Sequence, residues 1–461
     1  MGNNKKGETT MNKRKQTWKA AVSAAAIAVS VAIPMAANAA VGTVDVNGVT
    51  WTVNTNATTR TATLGNGSSA CIATTTSIDA SLIPWTFTVG EGDDAIEYTI
   101  TSIAAKAFSG CGNLSGTLTI PSAVTSMGAN AFYRCSKLSK IASLGGVTSL
   151  KEEAFRYDSG LAGSDYPDMS RITSIAKNVF NSCAMGGTVR LDSLTGHSNC
   201  DSAFNGAAIT NVVFPRRDIN LSGNYMFQNC KNLTGVYFPG PDSGSSMAQI
   251  RRSSCFKDCI SLEVFLAGPL TRLSNNYGVT SVDMFSGVNG CRIFVPTGSN
   301  WDTESDTEKG LAAYEADNTI FYYGAGRELD MSFDNDNKTV TATPATAHAL
   351  TNVLAAASTV KNVFGMDMRI NVTNAIEIAA GSVTAAELAG VTFDSLTFAV
   401  KTQAQLDTVL AAVPAETPLA IDPEGATENL MVSTENRKIY VMLPKNGTYK
   451  VRVGGLMIIV K

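Results

Sequence analysis

The chain has 461 residues, of which 44% are hydrophobic and 16% are charged, so a disordered protein is excluded and two or three domains can form. Its formal net charge is −3; without the leader described next it would carry 30 basic and 38 acidic residues, a net charge of −8. No basic stripe is left to neutralise phosphates, so nucleic acid is not expected as a partner.

Residues 1–39 are interpreted as a secretory signal peptide. A basic start at Lys13, Arg14 and Lys15 precedes an apolar run of 14 residues, and the small-residue pattern Ala37-Asn38-Ala39 closes it. A membrane anchor is the alternative, but spanning a bilayer takes about 20 apolar residues. We predict cleavage after Ala39, export to the medium or the cell surface, and no membrane span in the cleaved chain.

Residues 40–100 are predicted to form an N-terminal β-rich cap. The alternating segments Val46–Trp51, Thr61–Leu64 and Tyr98–Ile103 are typical of strands with one buried side. They lead directly into the region where the chain begins to repeat.

Between residues 101 and 300 the sequence repeats around a phenylalanine. Successive copies are separated by 24, 23, 25, 24, 23, 29 and 29 residues. A period in the twenties indicates a solenoid, in which each unit buries its apolar face against its neighbours. The eight phenylalanines are Phe108, Phe132, Phe155, Phe180, Phe204, Phe227, Phe256 and Phe285.

Each unit contains a short alternating strand that often ends in proline, as in Leu118-Thr-Ile-Pro121, followed by a corner. The apolar spacing from Ser126 to Cys135 predicts a short helical turn facing the same interior. We therefore predict an α/β solenoid of about eight coils with a parallel sheet on one side.

The segment Leu118-Thr-Ile-Pro-Ser-Ala-Val-Thr-Ser-Met-Gly-Ala-Asn-Ala-Phe-Tyr-Arg-Cys135 resembles the BspA-like leucine-rich repeats. The resemblance covers about residues 100 to 300 and implies a leucine-rich-repeat stack. It also implies a function, since proteins of this family are generally surface proteins associated with adhesion.

The nine cysteines are interpreted mainly as packing residues. Five lie three residues after the repeat phenylalanine, where a fixed interior position favours a row of buried thiols over disulfides: Cys111, Cys135, Cys183, Cys230 and Cys259. The other four are the better candidates for bridges: Cys71, Cys200, Cys255 and Cys291.

No cofactor, metal or catalytic centre is predicted. The chain has only two histidines, His197 and His348, and Cys255 and Cys259 lack a second pair at zinc-finger spacing. His197 and Cys200 lie three residues apart, without the further groups that nucleophilic catalysis needs. The segment Asp334–Asn337 lacks the glycine and glutamate of a calcium loop and is expected to be a turn.

After the repeats, residues 301–326 are predicted to cap the solenoid and residues 327–461 to form an α+β domain. Ile320–Tyr323 is a predicted strand of the cap. Leu350–Ala356 and Leu406–Ala412 are similar in sequence, and each follows a Phe-Asp pair, so two strand–helix units are expected.

A non-catalytic interaction or adhesion module is the leading functional hypothesis, with a protein or glycan ligand at a cell or matrix surface. Strand side chains pointing away from the core and two arginines are the candidate binding face, since aromatic residues and arginine are common at binding hot spots: Thr119, Val213, Arg216, Arg217, Tyr237 and Phe294.

Two alternatives are left open by the sequence. An extracellular carbohydrate-binding protein or enzyme accessory protein would act through the C-terminal domain. A structural component of the cell envelope would need no specific ligand.

Overall fold

The computed structural model describes residues 40–195, 200–221, 223–244, 247–250, 254–273, 283–298, 311–371 and 401–412. Beyond these it describes the backbone of short strands at 304–305, 308–309, 376–377, 392–399, 419–422, 430–432, 439–441, 449–453 and 456–460. The predicted signal peptide, residues 1–39, and His197 lie outside the described residues.

An N-terminal sheet precedes the repeats. Its strands pair in the order β1-β2-β3-β6-β5, and Asn47 and Gly48 turn the first hairpin with φ values of 55° and 73°. Trp51 of β2 is fully buried. The first strands are β1 (Ala40–Val46), β2 (Val49–Asn56), β3 (Thr61–Leu64), β4 (Ile78–Asp79), β5 (Thr86–Val89) and β6 (Ile96–Ile103).

The repeats form a parallel solenoid of about nine turns, one more than the eight predicted. One side carries the longer strands, which pair as β4-β7-β9 and then as β12-β13-β15-β17-β19-β22. The strands are β7 (Leu114–Ile120), β8 (Ser126–Met127), β9 (Leu138–Leu144), β10 (Ser149–Leu150), β11 (Ser174–Ile175), β12 (Thr188–Arg190), β13 (Asn211–Val213), β14 (Asn220–Leu221), β15 (Gly235–Phe238), β16 (Ala248–Ile250), β17 (Val264–Ala267), β18 (Thr271–Leu273), β19 (Arg292–Pro296), β20 (Glu304–Ser305), β21 (Glu308–Lys309) and β22 (Thr319–Tyr323).

The repeat phenylalanines form one column through the core, as a residue at a fixed position in every coil must. All eight are 0% exposed, and neighbouring rings stack with centroids 4.9 to 5.7 Å apart and planes within 20° of parallel. Trp51 meets Phe108 edge-on at one end, and Tyr314 meets Phe285 edge-on at the other. Aromatic residues outside the repeat therefore close both ends of the column.

The predicted helical turn at 126–135 is wrong. Ser126 and Met127 pair with β6 in parallel, and the following residues turn with left-handed backbone at Asn130 and Arg134, both at φ 58°. Seven of the eight coils that carry the repeat phenylalanine contain this pair, two residues before and two after that phenylalanine. Right-handed helix cannot pass through such residues, and their N–H groups instead donate to the next coil, as Asn130 does to Glu152.

The cysteines are all buried free thiols. The predicted row exists: the Cys135 thiol donates to the Phe108 carbonyl at 3.2 Å, and the Cys230 thiol to that of Phe204 at 3.1 Å. The prediction that the remaining four are bridge formers is wrong, since Cys71, Cys200, Cys255 and Cys291 are also unpaired. A thiol packs here as a small apolar group that also donates a weak hydrogen bond.

The C-terminal region forms a mainly parallel sheet ordered β23-β24-β25-β27-β28-β30, with the helices α1 and α2 where the two similar segments predict them. A π-helical turn, Val360–Phe364, extends α1 until Gly365 ends it at φ 66°. The elements are β23 (Leu329–Asp334), β24 (Thr339–Pro344), α1 (Ala347–Thr359), β25 (Asp367–Asn371), β26 (Ile376–Glu377), β27 (Thr392–Ala399), α2 (Gln403–Ala412), β28 (Leu419–Asp422), β29 (Leu430–Val432), β30 (Ile439–Val441), β31 (Tyr449–Val453) and β32 (Leu456–Val460).

Candidate functional site

The predicted binding face lies on the outer side of the long solenoid sheet. Strand register aligns one residue from each strand in a continuous row: Val213, Tyr237, Leu266, Phe294 and Phe321. These side chains belong to an apolar cluster separate from the solenoid core, so they point outward, as predicted. The row is called the outer row below.

The outer row is covered by the C-terminal region. Leu350, Val353 and Val360 of the α1 segment share its apolar cluster. The Tyr237 ring lies 5.4 Å from the Phe364 ring, centroid to centroid. Gly235 permits this close approach, since a Cβ there would lie 2.8 Å from Val363 Cγ1.

Burial changes the role expected for three candidates. Val213 is 6% exposed, Tyr237 5% and Phe294 0%, so they are not open to a partner in this structure. The candidate binding face that they were expected to form is therefore covered by the C-terminal region. They hold the C-terminal region against the sheet, and the buried apolar area stabilises that contact.

A polar rim closes one end of this contact. The Arg216 guanidinium donates to Asp242 Oδ2 at 2.8 Å and to Asp336 Oδ1 at 3.1 Å. Asn335 joins the two sides, because its amide donates to Asp242 at 2.9 Å and its oxygen accepts from the Tyr237 hydroxyl at 2.5 Å. Burial of Asp242 acts against its charge, but hydrogen bonds from Arg216 and Asn335 lower its pKa.

The segment Asp334–Asn337 supplies part of that rim and is a turn between β23 and β24, as predicted. The Asn337 side chain and backbone donate to the Asp334 carboxylate, and these hydrogen bonds lower its pKa. Within the described residues, no group of three or more histidine, cysteine or acidic side chains is placed to hold a metal ion.

The remaining candidates, Thr119 and Arg217, are exposed. Thr119 lies on β7, in the first part of the solenoid sheet, where the exposed residues are polar apart from Ala142: Thr117 and Thr119 on β7, with Ser139 and Lys140 on β9. Arg190 of β12 pairs with Val213 and is itself exposed, so it marks where the covered part of the sheet begins.

Sequence reasoning missed a cluster of two tyrosines and two arginines at one corner of the second and third coils: Tyr133, Arg134, Arg156 and Tyr157. A signal was present, because the two positions after the repeat phenylalanine both hold large side chains in only these two coils. Among the residues with described structure, no helix is long and apolar enough to cross a membrane.

Comparison with known proteins identifies the repeats. The family model described as the BspA type leucine rich repeat region matches residues 95–196 and 165–277, in six copies. The resemblance seen in the sequence is thereby confirmed. No curated protein matches the chain.

Two solved structures are similar. A leucine rich cell surface protein from Faecalibacterium prausnitzii A2-165 is 17% identical with a TM-score of 0.28, and the match covers 60% of this chain and 94% of that one. A leucine-rich repeat protein from Bacteroides ovatus ATCC 8483 is 15% identical with a TM-score of 0.29, and the match covers 85% of this chain and 98% of that one.

Proposed function

Because residues 95–277 are BspA type leucine-rich repeats, we propose that this chain is a secreted or cell-surface module for protein interaction and adhesion. The six-copy repeat match is the observation that carries the proposal. A stacked solenoid holds rows of side chains on a rigid backbone, which suits recognition of a large partner. We assign the module no catalytic step and no cofactor.

The partner we propose is a protein or glycan at a cell or matrix surface. The open, polar part of the solenoid sheet around Thr119 is one surface available to it, and Arg217 is a further exposed candidate. The outer row, by contrast, serves the fold of the chain itself. The solenoid sheet would then have two parts, one for ligand and one for the C-terminal region.

Binding of the chain 40–461 to an array of purified matrix proteins and glycans tests the role. We expect at least one ligand to bind saturably, and Thr119→Glu to weaken a ligand of the open sheet about tenfold by placing a charge in the contact. Thr58→Glu, the same change in an exposed turn before β3, is the matched control. If no ligand of the array binds saturably, the proposed interaction role is contradicted. If Thr119→Glu and Thr58→Glu bind a ligand equally well, the open sheet is excluded as its binding surface.

Export is tested separately. The full chain, expressed in a bacterial host, should appear outside the cytoplasm with Ala40 as its first residue. Retention in the cytoplasm with residues 1–39 attached would contradict secretion but would leave the interaction role standing.

A further inference from the structure

The corner that follows each repeat phenylalanine is built for small residues. Its second position carries left-handed backbone in all eight coils. Six coils place a small residue there: Gly110, Ser182, Gly206, Asn229, Asp258 and Gly287. The other two coils carry Arg134 at φ 58° and Tyr157 at φ 65°.

Every residue with a Cβ is disfavoured at such a position, because the Cβ approaches the backbone carbonyl, and short polar side chains such as asparagine and aspartate offset this by local hydrogen bonds. Glycine, serine and asparagine hold the same turn in other coils, so folding does not require Arg134 or Tyr157. At this second position long side chains occur only in these two adjacent coils, and their juxtaposition points to a use for the side chains themselves.

The first position of the corner completes a cluster, because Tyr133 precedes Arg134 and Arg156 precedes Tyr157. The guanidinium carbon of Arg134 lies 5.2 Å from the Tyr133 ring centroid and 5.4 Å from that of Tyr157. Arg156 lies 4.5 Å from the Tyr157 centroid and donates to the Tyr157 hydroxyl at 2.8 Å. Each arginine is thereby held over an aromatic ring, which limits its freedom before any partner binds.

The stretch of chain that leads to this corner is positive although the chain as a whole is acidic. Residues 104–157 contain two acids, Glu152 and Glu153, and six basic residues: Lys106, Arg134, Lys137, Lys140, Lys151 and Arg156. Glu153 pairs with Arg156, and Glu152 lies 3.9 Å from Lys177. Arg134 is exposed, and within the described part of the chain no carboxylate forms an ion pair with it.

We propose that Tyr133, Arg134, Arg156 and Tyr157 form a docking surface for a carboxylate-rich segment of a protein partner. Arg134 would bind a carboxylate through its free N–H groups, a geometry that guanidinium provides and ammonium does not. The tyrosines orient the arginines rather than standing free to stack on a sugar ring. This inference rests on the proposed binding role but concerns a surface other than the open sheet.

The test measures binding of fluorescent poly-L-glutamate to the chain 40–461, with polygalacturonate as the acidic glycan for comparison. Arg134→Asn should fold, since Asn229 holds the equivalent turn at φ 59°. We expect it to weaken poly-L-glutamate binding about tenfold, the usual loss when a hydrogen bond to a charged group is removed. Lys137→Asn, the charge-matched control, should weaken it less than about threefold. Arg134→Lys should restore only part of the loss.

Circular dichroism of each variant confirms the fold before binding is compared. Equal losses in Arg134→Asn and Lys137→Asn would overturn the proposal, because the attraction would then be non-specific. Tighter binding of polygalacturonate, or no binding of poly-L-glutamate, would also overturn it. If a matrix ligand binds the wild type and Arg134→Asn equally, this surface is refuted while the interaction module stands.

Discussion

Asp158 is a buried acid in the position that cysteine occupies in five other coils, and it makes the stability of the solenoid dependent on pH. It is 0% exposed, and its Oδ1 accepts from the Cys135 N–H at 2.8 Å. Its Oδ2 is buried and has no hydrogen-bond partner. We expect Asp158→Cys, which restores the thiol of the other coils, to remove this dependence.

Burial raises the pKa of Asp158 well above its ordinary value, against the smaller opposing effect of the Cys135 N–H. In the unfolded chain the same carboxyl has a pKa of about 3.9. Above that pH the unfolded state loses the proton while the folded state keeps it, so the free energy of unfolding falls as pH rises. Each pH unit between about 4 and the pKa of Asp158 in the folded state lowers the free energy of unfolding by about 1.4 kcal/mol.

Urea unfolding of the chain 40–461, followed by circular dichroism at pH 4.5, 5.5, 6.5 and 7.5, measures the effect. The wild type and Asp158→Cys should be close in stability at the lowest pH, and the variant should gain over the wild type at each step upward. Asp158→Asn keeps the shape of the side chain but cannot ionise, so its free energy of unfolding should also lack the fall with pH that Asp158 causes. Parallel pH profiles for the wild type and both variants would refute the reasoning.

Four further outcomes follow from the packing. Thiol titration in denaturant without reductant should count nine reactive cysteines. A count of seven or fewer would establish a disulfide. Because burial raises the pKa of Cys111 and of Cys200 to about 11, folded thiols keep protons that unfolded thiols lose above about pH 8.5, so stability should fall further in alkali. Phe155→Ala should cost about 3–5 kcal/mol in unfolding free energy, and Phe333→Ala, at a partly buried site, distinctly less; equal costs would contradict the column as a main source of stability. Phe294→Ala should loosen the C-terminal region, seen as faster proteolysis after residue 323 with the N-terminal coils intact, and unchanged digestion would contradict its docking role.

The solenoid could be predicted from the sequence because a column of identical residues produces a regular spacing along the chain, and that spacing can be recognised without a structure. Phe108, Phe132 and Phe155 recur at nearly equal steps, and a solenoid buries such a series by stacking the same position of every coil on the next. The corner at 126–135 could not be predicted in the same way. Its apolar spacing fits a helix, and only the left-handed backbone at Asn130 and Arg134 excludes one.

The sequence of the strands also indicates that the outer row is covered. In the first part of the sheet the strand alternates, as in Leu118-Thr119-Ile120, and one side is exposed. Later strands are continuous apolar runs, as in Val236-Tyr-Phe238 and Val264-Phe-Leu-Ala267, which is typical of strands buried on both sides. Only the partner of the second side could not be predicted, because α1 lies far from these strands in sequence.

The apolar cluster beneath α1 also alters how the solenoid comes apart. In a plain repeat array each coil touches only its neighbours, so coils can fray one by one from an end. Here a single cluster contacts five successive strands, β13, β15, β17, β19 and β22. The cluster therefore connects these five coils to one another through the α1 segment. Among the described residues no member of the cluster precedes Val213, so the earlier coils lack this connection. Native-state hydrogen exchange should therefore show one cooperative block in the later coils and a gradient of protection in the earlier ones.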